Sequence, residues 1–172
     1  MEVILADYLG FCYGVKRAIM IARDNASADS TACTLGPIIH NPQVVARLAG
    51  KGISPVMSTD EITDETVIIR SHGIGPSCYN NLKRKKSVLL DATCPFVKRN
   101  QEIAKGLAAE GKKIVLVGEK KHPEMLSVAE WAGEAPYIVE TMEDVEALPD
   151  LDEVHIVIQT TFSLSLADRL IT

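Results

Sequence analysis

Short β-branched and apolar runs alternate along the chain with longer stretches in which apolar positions recur every three to four residues. Runs near 3–6, 31–35, 67–71, 88–92, 113–118, 136–140 and 154–158 have the length and composition of strands. Between the first two, Val15, Ala18, Ile19, Ala22 and Ala26 fall on one stripe while Lys16, Arg17 and Arg23 face away. That pattern predicts a helix from Gly14 to about Ala26 that packs on one side. Another is predicted from Pro95 to about Glu110, stopped by Gly111. Strands alternating with helices predict α/β architecture with mainly parallel sheets, repeated as three-layer α/β domains. The rhythm restarts at Cys94-Pro95, so a first domain is expected over 1–94 and a second over 95–172. The final periodic stretch, from Leu164 to Thr172, carries no Gly, Asn or Pro stop signal. The chain therefore reads as cut short.

Composition narrows the classes. The 172 residues are 47% hydrophobic, enough for a sizeable core, yet no apolar run approaches the ~18 residues that span a bilayer. A net charge of -5 argues against nucleic acid as the main partner. The one dense basic run, Lys83-Arg84-Lys85-Lys86, reads as a solvated helix end. The start enters a strand-like run at once, with neither a signal peptide nor an Arg-rich transit sequence, so a cytoplasmic location is expected.

Chemistry collects after the strands. Strand 3–6 leads to Cys12, 31–35 to His40, 67–71 to His72, 88–92 to Cys94, 113–118 to His122 and Glu124, and 154–158 to Thr160. In parallel sheets the carboxyl ends of the strands share one edge, where ligands bind. Asn41-Pro42, Gly75-Pro76, Cys94-Pro95 and His122-Pro123 each put proline where a first helical residue belongs, so several helix N-termini are expected to face that edge and favour an anion such as a phosphate. His72-Gly73-Ile74-Gly75 suits a phosphate-contacting turn.

The four cysteines form neither a C-x-x-C pair nor a zinc-finger spacing. Cys33, inside an apolar strand, and Cys78, on a helix, read as packed side chains. Cys12 and Cys94 stand at helix starts, where the dipole favours the thiolate that metals need. Two soft ligands fit zinc or an iron–sulfur cluster, and complete neither. His155, mid-strand, reads as a packed or edge histidine.

The motifs G-F-C-Y-G-V at 10–15, H-N-P-Q-V-V at 40–45, S-H-G at 71–73, D-A-T-C-P at 91–95, H-P-E at 122–124 and Q-T-T at 159–161 together resemble the LytB/IspH family, the 4-hydroxy-3-methylbut-2-enyl diphosphate reductases. The resemblance implies α/β domains around a central 4Fe-4S cluster held by three cysteines, with Cys12 and Cys94 matching two of them. It implies that His40 and His72 contact the diphosphate. His122, Glu124 and Thr160 match the group around the substrate hydroxyl, both binding and catalytic, with Glu124 central to proton delivery. The implied reaction, in the methylerythritol phosphate route to isoprenoids, is a two-electron reductive dehydroxylation to isopentenyl and dimethylallyl diphosphate, with ferredoxin or flavodoxin as electron donor. The third cysteine and an S-x-N diphosphate contact are expected beyond residue 172, which would leave the isolated chain inactive. Two other readings of the same residues are a zinc-dependent hydrolase of a phosphorylated small molecule, built on Cys12, Cys94 and a histidine, and a phosphate-binding module without catalysis.

Overall fold

The computed structural model describes residues 2–7, 9–25, 32–63, 66–85, 87–134 and 136–172. Helix α1 (Tyr13–Asp24) buries Ala18 and Ala22 completely and packs Val15 and Ile19 beside them. Ala26, expected on the same stripe, lies outside the described residues. There follow β1 (Ala32–Leu35), α2 (Pro42–Ala49), β2 (Ile53–Val56), a 3-10 turn at Thr59–Glu61, β3 (Thr66–Ile69), α3 (Pro76–Arg84) and β4 (Val88–Asp91). The strands form one parallel sheet in the order β2-β1-β3-β4. Successive residues of β3 point to opposite faces, so Ile68 joins the core under α1 and α2 while Val67 and Ile69 join Leu82 of α3. Helices cover both faces, which is why the inner strands are mostly apolar and buried along almost their whole length.

The second half repeats the plan with α4 (Pro95–Ala109), β5 (Ile114–Val117), α5 (Pro123–Trp131), β6 (Tyr137–Val139), α6 (Met142–Glu146), β7 (His155–Ile158) and α7 (Leu164–Ile171). Its sheet is also parallel, ordered β6-β5-β7. Leu116 packs with Met125 and Val128 on one face, while Val115 and Val117 meet Ala167 and Leu170 on the other. Leu116 and Ile68 are both fully buried, each contributing about 1.5–3 kcal/mol. The halves are stitched by polar contacts: Trp131 Nε1 donates to Ile74 O at 2.9 Å, and Ser77 Oγ donates to Glu130 Oε2 at 2.6 Å.

Two expectations need correction. Residues 3–6 are not a strand: they join neither sheet, and Val3, Ile4 and Leu5 are exposed. A β-branched run becomes a strand only where a neighbour completes its ladder, and none of the described strands does so. Conversely β2 was not expected, because Ser54-Pro55 interrupts its apolar pattern. It is an edge strand paired only with β1, the place where a sheet tolerates proline. No helix among the described residues is long and apolar enough to cross a membrane.

Strand order fixes where the loops meet. In the first sheet the chain steps outward from β1 to β2, then returns to the other side of β1 at β3. In the second it does the same around β5, with β6 on one side and β7 on the other. At such reversals the loops leaving adjacent strands diverge and open a crevice at the carboxyl ends.

Candidate functional site

The two crevices carry the expected residues. His40 follows β1 and His72 follows β3, flanking the first reversal; His122 and Glu124 follow β5 and Thr160 follows β7, flanking the second. The halves meet so that three imidazoles converge. The rings of His40 and His72 stand 4.3 Å apart between centroids, His72 and His122 5.2 Å, and His40 and His122 5.5 Å. Backbone bonds hold this arrangement, with Ser71 N–H donating to Ile38 O at 3.1 Å and Cys94 N–H donating to Ser71 O at 2.9 Å. At the turn carrying His72, Gly73 has φ +71°, and a Cβ there would meet the side chains of Gln101, Thr93 and Ser127. Only glycine fits that crowded left-handed position.

Each of the four prolines opens a helix: Pro42 in α2, Pro76 in α3, Pro95 in α4 and Pro123 in α5. Asn41 caps α2 by accepting from Val44 N–H at 3.0 Å, a bond that stabilises by about 1 kcal/mol. His122 caps α5, its Nδ1 accepting from Glu124 N–H at 3.2 Å. An Nδ1 that accepts leaves the proton of the neutral ring on Nε2, so His122 presents a donor.

Burial, followed by the charges of His40, His122 and Arg70, pushes His72 down to about 3. His122 is lowered too, again first by burial, with Glu124 and Glu119 opposing. The ligand atoms of the three histidines lie within 4.8 Å of one another, a spacing from which they could converge on a metal ion. The Nδ1 bond of His122 instead favours the donor role, toward an anion. The cleft beside His40 and His122, about 670 Å³, is also lined by Lys120 and Lys121, which sequence reasoning left unassigned, and by the carboxylates Glu119 and Glu140. Arg70, the residue before the S-H-G motif, was missed as well. Its Nε is buried with no partner among the described residues, a fact no sequence motif encodes.

Glu124 is 1% exposed. Its Oε1 accepts from Thr160 N–H and its Oε2 from the Thr160 hydroxyl, both at 2.7 Å. Two such bonds offset the several kcal/mol that burying a carboxylate costs. Thr160 itself is exposed, so its hydroxyl links a hidden carboxyl to the surface. Gln159 fixes the corner, Oε1 accepting from Glu119 N–H at 2.8 Å and Nε2 donating to Thr161 Oγ1 at 3.0 Å.

Cys12 and Cys94 are the N-caps of α1 and α4, and neither side chain makes a capping bond. Both are free thiols. They approach the same helical turn: a Cβ on Gly14 would lie 2.5 Å from Cys94 Sγ, so glycine is required two residues after Cys12. Arg17 clamps the arrangement, donating to Thr93 O and Asp91 O at 3.1 Å each. Cys33 is buried in β1 and Cys78 lies on α3, beside a different cavity. Among the described residues no histidine joins Cys12 and Cys94 within chelating reach, because the three histidines group with one another. The alternative zinc reading, built on Cys12, Cys94 and a histidine, finds no such grouping among the described residues. The unpaired thiols at helix N-termini do fit two of the thiolate ligands of an iron–sulfur cluster.

A family model described as LytB protein matches residues 3–172. A protein of Geobacter sp. (strain M21) named 4-hydroxy-3-methylbut-2-enyl diphosphate reductase is 44% identical over all of this chain and 61% of its own length. One of the same name from Citrifermentans bemidjiense is 46% identical over 95% of this chain and 58% of its own. Among solved structures, one of (E)-4-hydroxy-3-methyl-but-2-enyl diphosphate reductase superposes with TM-score 0.84 at 40% identity, covering 98% of this chain and 61% of that one. The Plasmodium falciparum reductase gives TM-score 0.90 at 30% identity, covering 94% of this chain and 52% of that one. The chain thus spans about three fifths of the curated relatives it matches.

Proposed function

The chain belongs to the LytB protein family, and from that premise we propose that it carries the diphosphate-binding and proton-delivering face of a 4-hydroxy-3-methylbut-2-enyl diphosphate reductase. The observation that supports this best is the meeting of the two crevices: His122 packs against His40 and His72 and caps the helix that carries Glu124, whose carboxyl bonds Thr160.

In this reading His40, His72 and His122 receive the diphosphate, helped by Lys121 and by the helix N-termini that follow each histidine. Hydrogen bonds to a charged group contribute about 1.5–3 kcal/mol each, enough for three to anchor a small anion. The allylic hydroxyl lies toward Thr160. Once it has taken up a proton, Glu124 gives it to the Thr160 hydroxyl oxygen while Thr160 passes its own hydroxyl proton to the leaving oxygen as the C–O bond breaks, because hydroxide leaves poorly and water leaves well. Cys12 and Cys94 would hold a 4Fe-4S cluster, with a third thiolate from outside this chain. When bound, the cluster supplies electrons and a Lewis-acidic iron. Ferredoxin or flavodoxin is the proposed electron source, and the products are isopentenyl and dimethylallyl diphosphate with water.

The test is anaerobic preparation of the protein from its complete coding sequence, with iron and sulfide counted and products identified after reduction. Iron, labile sulfide and both five-carbon diphosphates are expected. Cys12→Ser and Cys94→Ser should each lose the cluster, while Cys33→Ser and Cys78→Ser keep it. Stoichiometric zinc with release of inorganic phosphate would point to the hydrolase instead. Tight diphosphate binding without turnover would leave only a binding module.

A further inference from the structure

The chain is acidic overall, with 23 Asp and Glu against 18 Lys and Arg, yet one groove has the opposite character. It runs between α1 and α2, encloses about 400 Å³, and no carboxylate lines it. Phe11 and Met20 form an apolar floor, 39% and 51% exposed. Lys16, Arg23, Arg47 and Lys51 rim it. Arg23 has an exposed ion pair with its neighbour Asp24 at 2.9 Å, worth little in water. Lys16, Arg47 and Lys51 have no ion-pair partner among the described residues. A concentration of uncompensated cations on an acidic protein is an orienting feature, since it attracts an acidic partner to one face while the rest repels it.

The groove's position gives the attraction a purpose. Phe11 is covalently joined to Cys12, and Lys16 N–H donates to Cys12 O at 2.9 Å, so floor and rim belong to the same helical turn as a cluster ligand. Transient redox encounters use small interfaces with a modest apolar centre and a charged rim.

We propose that the α1–α2 groove is the docking surface for a small acidic electron-carrier protein, which delivers electrons toward the cluster at Cys12; this rests on the reductase reading above. Each docking oxidises the carrier by one electron and reduces the cluster by one. Two dockings supply the two electrons of the dehydroxylation, and two protons complete the balance as water leaves.

The test uses this chain with an acidic 2Fe-2S ferredoxin and, separately, an acidic flavodoxin as probes. Zero-length coupling of lysines to carboxylates, mapped by mass spectrometry, should join the carriers at Lys16 and Lys51 in preference to Lys83, Lys112 and Lys113. Reversing the charge at Lys16, Arg47 and Lys51 together should weaken carrier binding about tenfold, while the same reversal at Lys83, Lys112 and Lys113 should change it little. The milder set Lys16→Gln, Arg47→Gln and Lys51→Gln should give an intermediate loss, which guards against misfolding as the cause. Equal losses from both sets, couplings mapped elsewhere, or anionic vesicles or RNA binding the groove more tightly than the carriers would overturn the proposal. Turnover driven by dithionite, in the protein from the complete coding sequence, should be unchanged by the groove substitutions. Absence of that turnover in the unsubstituted protein would instead sink the reductase reading, leaving the coupling map to decide the docking surface on its own.

Discussion

The imidazole of His72 sits where a proton is unwelcome. Burial first, then the charges of His40, His122 and Arg70, take it from its ordinary 6.5 to about 3. An unfolded chain binds this proton as pH falls below about 6.5, while the folded chain refuses it until about 3. The stability contributed by neutral His72 is therefore complete above about 6.5 and lost as pH falls through that window. Asp91 acts lower. Burial raises its carboxyl, but the bonds from Lys98 and Thr93 outweigh this and hold it below its ordinary 3.8. The melting temperature of the chain should accordingly decline between pH 7 and pH 4, and His72→Asn should flatten that decline while leaving the loss below pH 4 in place. An identical profile in the variant would contradict the assignment. An anion placed between the rings removes the penalty, since it favours the protonated form.

At the scale of elements, the site depends on helix starts held at fixed positions. Arg17 reaches from α1 to the loop after β4, bonding the carbonyls of Thr93 and Asp91 and so holding Cys94 against the turn that begins at Cys12. Losing a charged hydrogen bond of this kind costs about 1.5–3 kcal/mol. Arg17→Gln should thus lower the urea midpoint by a corresponding amount and speed alkylation of Cys94 without exposing Cys33. Unchanged stability together with unchanged Cys94 labelling would show that the clamp is incidental. The sequence carried the helix starts openly, because proline at a first helical position is a local signal, and Pro42, Pro76, Pro95 and Pro123 each open a helix. Six of the seven expected strands are present for the same reason. Arg17, Arg70 and Lys121 were not legible, because what a long side chain meets depends on how separate elements pack. The run at 3–6 shows the converse, local strand character with no neighbour among the described residues to complete it.

At the scale of the molecule, two parallel sheets each reverse strand order once, and His40 and His72 flank one reversal, His122, Glu124 and Thr160 the other, while Cys94 follows the edge strand β4. Alternation of strands and helices made the parallel sheets readable from sequence, but strand order was not, and strand order is what brings His40 beside His72 and Glu124 beside Thr160. The division of labour we propose on this geometry separates binding from chemistry, with histidines for the anion and a buried carboxyl for the proton. Glu124→Gln tests it most directly, since the amide keeps size, can still accept from Thr160 N–H and can donate to the Thr160 hydroxyl in place of the second bond, yet cannot deliver the proton. In cluster-loaded protein from the complete coding sequence, kcat should fall by about 10²- to 10⁴-fold, with diphosphate affinity and cluster content little changed. Near-normal turnover in Glu124→Gln with the cluster intact would contradict the account and move the search for the proton donor to His122.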